Sequence, residues 1–151
     1  MAERSLPRRE EYPYVQPVTS RWMDNDVYGH INNAHYYAYY DTIVNRYLVE
    51  TGGLDIHEGE VVGYVVASAC EYFGPVAYPE LLEVGVRVEK LGTSSVRYGV
   101  ALFRAGDPLA RAAGSMVHVF VDRKSSRSIP IPATLRKALQ EIAGAPTPAQ
   151  R

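Results

Sequence analysis

The segment Asp24-Asn25-Asp26-Val27-Tyr28-Gly29-His30-Ile31-Asn32-Asn33-Ala34-His35-Tyr36 gathers two acids, a glycine, two histidines and three asparagines within thirteen residues. Val18, Ser20 and Trp22 alternate before it as in a short strand, and Tyr36, Tyr40, Ile43 and Tyr47 follow it at helical spacing. The cluster therefore falls at a strand-to-helix junction. Unpaired amide N–H groups and the positive end of the helix dipole collect at such a junction, where they stabilise a carbonyl oxygen that is gaining charge. A carboxylate beside that point can deprotonate water or attack a carbonyl, which is the chemistry of acyl transfer or hydrolysis.

The same residues have plainer readings. Asn32 or Asn33 can be the helix N-cap, Asp24 a turn former after a strand, and His30 a structural hydrogen-bonding histidine. A calcium loop does not fit, because Tyr28 and His35 stand where oxygen ligands belong. Asp24, Asp26 and His30 could hold a divalent metal, but no further carboxylate or cysteine cluster supports one, and the expectation is no metal and no cofactor.

The elements that must position this cluster read in the order β, α, β, β, β, β, α. The one long helix starts at the asparagines and ends at Gly52-Gly53. Glu60 to Tyr72 is a mostly apolar run of the kind buried on both faces, with Cys70 read as buried and inert. Leu82, Val84, Val86 and Val88, then Val96, Tyr98, Val100 and Leu102, alternate on either side of Leu91-Gly92-Thr93-Ser94 and predict a hairpin. A last strand spans Leu109 to Val121, and a short helix covers about 133–142 between frayed ends. His118, between Met116 and Phe120 on one strand face, is expected to be a satisfied interior histidine, His57 lies in a polar loop, and His35 is exposed or at a subunit contact. The tyrosines of the long helix, Tyr36, Tyr37, Tyr39, Tyr40 and Tyr47, are expected in the core or an interface. One helix covers one face of a sheet with open edges, which predicts a symmetric homodimer or homotetramer.

Composition bounds the partners. The chain has 151 residues, 46% hydrophobic, with 16 Lys and Arg against 17 Asp and Glu, the make-up of one globular domain. A net charge of −1 leaves no electrostatic footprint for nucleic acid or an anionic membrane. A single cysteine excludes an internal disulfide, and no apolar run reaches the ~18 residues of a membrane span, so a cytoplasmic location is expected.

Asp-x-Asp-x-x-Gly-His-x-Asn-Asn-x-x-Tyr at Asp24 to Tyr36 resembles the signature of the acyl-CoA thioesterases of the 4-hydroxybenzoyl-CoA thioesterase group and is similar to that of acyl-carrier-protein thioesterases. The likeness runs from about Val15 to Pro132 and includes Tyr40-Asp41, Pro75, Pro79 and Ile129-Pro130. It implies an α+β hotdog fold, in which an antiparallel sheet wraps one long central helix, with core about 15–132 and active sites at a dimer interface. By the motif match Asp26 is the catalytic carboxylate, as general base or nucleophile, and the oxyanion hole falls on amides near Asn33; His30 and Asn32 complete the polar cluster. The resemblance also implies that the turn residues Lys90, Thr93 and Ser94 contact the CoA phosphates, and Tyr36 is a candidate for the acyl pocket; Arg87, Arg123, Lys124 and Arg127 are other candidate cations, read first as solvated surface charges. The expected substrate is an acyl-CoA or an acyl-carrier protein. A non-catalytic acyl-CoA sensor and a hotdog dehydratase are the other classes the fold allows.

Overall fold

The computed structural model describes residues 5–144. After a 3-10 turn (Arg9–Glu11) come β1 (Tyr14–Val18), a second short 3-10 turn (Trp22–Asp24) and helix α1 (Ala34–Glu50), then β2 (Val61–Tyr72), β3 (Leu82–Leu91), β4 (Ser95–Arg104), β5 (Ala112–Asp122) and helix α2 (Ala133–Glu141). The five strands form one antiparallel sheet in the order β1-β3-β4-β5-β2. This is the α+β hotdog architecture, and the order of elements matches the sequence reading. The frayed C-terminal tail expected after about residue 144 lies outside the described residues.

Helix α1 lies across the inner face of the sheet because its apolar residues recur three and four apart: Tyr36, Tyr39, Tyr40, Ile43, Val44, Tyr47 and Leu48 are all buried. They meet Val84 and Val86 of β3, Tyr98, Val100 and Leu102 of β4, and Met116 and Phe120 of β5. The tyrosines keep their hydroxyls satisfied in this core; Tyr47, for example, donates to the Ala138 carbonyl of α2. Helix α2 in turn packs Leu135 onto Gly52, and its Arg136 donates to the carbonyls of Gly92 and Thr93 in the β3–β4 turn. His118 is an interior histidine, as expected, with Nδ1 3.0 Å from the Tyr98 hydroxyl.

Several expectations are corrected. The alternation at Ser20 and Trp22 is not a strand: β1 lies earlier, at Tyr14–Val18, and Trp22–Asp24 turns in 3-10 form because the Asp24 side chain accepts the Arg21 N–H and closes the turn. The last strand begins at Ala112, since Leu109 to Arg111 are spent on the turn after Asp107 and on bonds to Pro7, Phe73 and Gly74. The apolar run of β2 is not buried on both faces. It pairs only with β5, forms a sheet edge, and leaves Tyr64, Val65, Val66 and Tyr72 exposed, with Val66 at 59%. A continuous apolar run reflects burial wherever it comes from, and within one chain nothing covers this one. Cys70 is accordingly half-buried, with Sγ 3.3 Å from the Tyr40 hydroxyl. Gly114 is needed opposite this edge, because a Cβ there would collide with the Ala69 carbonyl.

The two sheet edges differ. The β1 edge is five residues long and contains Pro17, whereas β2 has twelve residues and no proline.

Leu48 is fully buried between α1 and the sheet, so Leu48→Ala should lower stability by about 2–5 kcal/mol. Urea unfolding followed by circular dichroism reads this loss directly.

Candidate active site

The loop from Asp24 to Asn33 is folded back on itself. Asp26 N–H donates to the His30 carbonyl, Gly29 N–H donates to the Asp26 carbonyl, and Asn25 bridges to Ile31. Gly29 has φ +84°, a left-handed conformation that a side chain disfavours, so the reversal depends on glycine there. The loop is pinned to its surroundings at both strands of the reversal: Ile31 N–H donates to the Val76 carbonyl, and Asn25 Oδ1 accepts the Tyr78 N–H. The guanidinium groups of Arg104 and Arg111 both donate to the adjacent Pro75 carbonyl and hold that second loop in place.

At the start of α1 the N–H groups are accounted for one by one. Ala34 N–H donates to Asn32 Oδ1 at 2.9 Å, His35 N–H to the Asn32 carbonyl, and Tyr36 N–H to the Asn33 carbonyl. Asn32 N–H is taken by the Asp24 carbonyl. Asn33 N–H has no such acceptor among the described residues, which leaves one main-chain donor free at the positive end of a 17-residue helix. Of the two asparagines, Asn32 supplies the side-chain cap, while Asn33 occupies the N-cap position and caps nothing.

Asp26 is half-buried in the same loop, with Oδ1 accepting the Tyr28 N–H at 2.9 Å. His30 is exposed, Asn32 half-buried and Tyr36 buried edge-on to Tyr72 at 5.0 Å between ring centroids. The structure thus brings Asp26, His30, Asn32, Asn33 and Tyr36 into one junction. It does not bring Lys90, Thr93 and Ser94 there. They occupy the far end of β3, beside α2, and a strand of ten residues spans about 30 Å. Nor is Arg87 a solvated surface charge: it is 8% exposed, lies 4.9 Å from the Tyr12 ring centroid and pairs with Glu89. Arg123 donates to the Gly59 and Ile56 carbonyls, while Lys124 and Arg127 are exposed. Among the described residues no group of three or more His, Cys, Asp or Glu is placed to hold a metal.

Sequence reasoning undervalued Asp24, which is not a mere turn former. Its carboxylate is 0% exposed and accepts the Tyr39 hydroxyl, the Arg21 N–H and Arg21 Nε–H, while His35 Nδ1 stands 3.7 Å away. His35 is therefore half-buried against the loop rather than free. Tyr72, at the end of β2, was also missed; its ring packs edge-on against Tyr36, and burial with Cys70 beside it pushes the phenol up to about 12. A spacing of fifteen residues from Asp24 to Tyr39 across a loop leaves no periodic signal in the sequence.

Burial pushes the Asp24 carboxyl up, but the bonds from Tyr39 and Arg21 and the Arg21 charge more than offset it, so its pKa lies below the ordinary 3.8. A carboxyl lowered on folding stabilises the protein fully above its unfolded pKa, and that contribution fades as pH falls through the lower folded value. Asp24→Asn should accordingly cost about 1–3 kcal/mol at pH 7, with the deficit shrinking below about pH 4. Thermal melts of both proteins from pH 3 to 7 measure the difference.

The profile of the thioesterase-like superfamily matches residues 20–139. Among solved structures, the PA5185 protein from Pseudomonas aeruginosa strain PAO1 is 55% identical, covering 95% of this chain and 100% of that one with TM-score 0.93. The PA2801 protein of Pseudomonas aeruginosa, a putative thioesterase, is 32% identical over 85% of this chain and 98% of its own, with TM-score 0.76. A thioesterase from Thermus thermophilus, solved with coenzyme A and Zn, is 29% identical over 91% of this chain and 99% of its own, with TM-score 0.73. No curated protein matches the sequence. The motif and the fold agree with that profile: the chain belongs to the thioesterase-like superfamily and is a thioester hydrolase.

Proposed function

We propose that the protein hydrolyses acyl-CoA thioesters to a free carboxylic acid and CoA, with Asp26 and the Asn33 N–H as the reacting pair. The observation that carries this reading is the free Asn33 N–H at the start of α1, in the same folded loop as a carboxylate whose Oδ2 carries no hydrogen bond among the described residues. The thioester carbonyl oxygen accepts from Asn33 N–H as it gains charge. Asp26 takes a proton from water, the hydroxide adds to the carbonyl carbon, and the tetrahedral intermediate expels the thiolate, which recovers the proton from Asp26. Attack by Asp26 itself, through a mixed anhydride that water then cleaves, uses the same geometry. Asn32 keeps the helix start in register by capping Ala34, His30 lies at the exposed mouth of the loop, and Tyr36 forms the floor beside the acyl group. CoA is preferred to a carrier protein as the thiol because a relative at 29% identity is a thioesterase solved with coenzyme A.

The working unit is a homodimer paired along β2. Twelve residues of unpaired edge, rich in exposed Val and Tyr, are a template for another strand, and a two-fold axis pairs β2 with its own copy antiparallel. That pairing carries the partner's β3–β4 turn from the far end of its sheet to the Asp26 end of this one. Lys90, Thr93 and Ser94 then meet the CoA of the partner's site and not of their own.

Asp26→Ala should lower thiol release from acyl-CoA by about 10²–10⁴-fold with the melting temperature preserved, scored with a thiol reagent across acyl lengths. Unchanged turnover would remove Asp26 from the mechanism. Val66→Glu places a charge on the open edge and should convert a dimer to a monomer in sedimentation, with hydrolysis lost in parallel. A wild-type monomer at micromolar concentration refutes the paired arrangement.

A further inference from the structure

Asp26 makes no side-chain bond to helix α1. Its Oδ1 is committed to the Tyr28 N–H, and its backbone N–H and carbonyl bond to His30 and Gly29, all within the same loop. The separation between Asp26 and the Asn33 N–H must therefore be set by another residue. Asp24 touches the turn before the loop, the residue that precedes Asn33, and the helix. Its carboxylate receives Tyr39 from the second turn of α1 and Arg21 from the turn before the loop, with His35 of the first helical turn 3.7 Å away. Its main-chain carbonyl accepts Asn32 N–H at 3.0 Å, one residue before the free donor. Both flanks of the loop and the helix are thus tied at one fully buried residue, the helix and Arg21 through its carboxylate and Asn32 through its carbonyl.

We propose that Asp24, with Tyr39 as its anchor on α1, is a positioning residue that holds the Asp26 loop against the helix start so that carboxylate and amide converge on one carbonyl group. The proposal rests on the assignment of Asp26 and Asn33 given above. The Tyr39 hydroxyl fixes Asp24 relative to the helix axis, the Arg21 contacts fix its rotation, and the Asp24 carbonyl fixes Asn32. Losing the anchor lets the loop slide by a fraction of its hydrogen-bond spacing without opening the hydrophobic core, since the Tyr39 ring stays in place.

The test is a double-mutant cycle on full-length protein, with thiol release from acyl-CoA measured at enzyme excess so that slow variants are still read. Tyr39→Phe removes one hydroxyl and keeps the ring, and it should lower kcat by about 10- to 100-fold with KM little changed. Asp24→Asn should do the same. In the Asp26→Ala background neither change should lower the residual rate further, because a group that acts through Asp26 has nothing left to position. Should Asp24→Asn fail to fold, Tyr39→Phe carries the cycle alone. If Asp26→Ala is inactive and Tyr39→Phe retains the wild-type kcat, or if the losses multiply in the Asp26→Ala background, the positioning role is overturned and the catalytic reading survives. If Asp26→Ala keeps full turnover, the catalytic reading itself falls.

Discussion

The position of one helix governs everything else in this molecule. Helix α1 is held across the sheet by seven buried side chains, four of them tyrosines, spread along its 17 residues. Because the helix is fixed by its flank, its first turn has to stand at the sheet end where β2 finishes and β3 begins. The Tyr36–Tyr72 contact and the Ile31–Val76 hydrogen bond mark that meeting point. An unsatisfied amide is thereby carried to the loop that holds Asp26, and in the proposed mechanism the two act on one carbonyl group without either being redirected. Preorganisation of this kind is worth more than the strength of any single bond, since the dipoles are oriented before the substrate arrives.

The tyrosines explain how a polar junction survives beside a hydrophobic core. Each ring fills volume as a leucine does, and each hydroxyl reaches a partner: Tyr39 reaches Asp24, Tyr40 reaches Cys70 and Tyr47 reaches the Ala138 carbonyl. The core therefore grades into the site through bonded oxygens rather than through a wall of hydrocarbon. A carboxylate with no exposure at all, Asp24, is tolerated there because every neighbour that faces it is a donor or a cation.

Much of this was legible in the sequence, for physical reasons. The helical spacing of Tyr36, Tyr40, Ile43 and Tyr47 and the alternation through Val84, Val86 and Val88 each report one face turned to a core, and both faces are where the spacing puts them. The crowding of Asp26, His30, Asn32 and Asn33 at a helix start is equally local, so their proximity could be read before any coordinates. What could not be read depends on distant partners. The exposed β2 reads as an interior strand because apolar composition does not say whether the cover comes from the same chain. Lys90, Thr93 and Ser94 sit on a turn whose distance from Asp26 is a matter of topology. Asp24 looks like any turn-forming acid until Tyr39 is seen above it.

Pro17 in β1 has a consequence that reaches beyond a single chain. A proline lacks the amide hydrogen that a growing ladder needs, and on this short outer strand it blunts one margin of the sheet while the other stays receptive. A body with one adhesive margin can satisfy it by a single rotation onto its twin, and that margin is then used up. Had both margins been receptive, the same stickiness would propagate head to tail into an open-ended fibre.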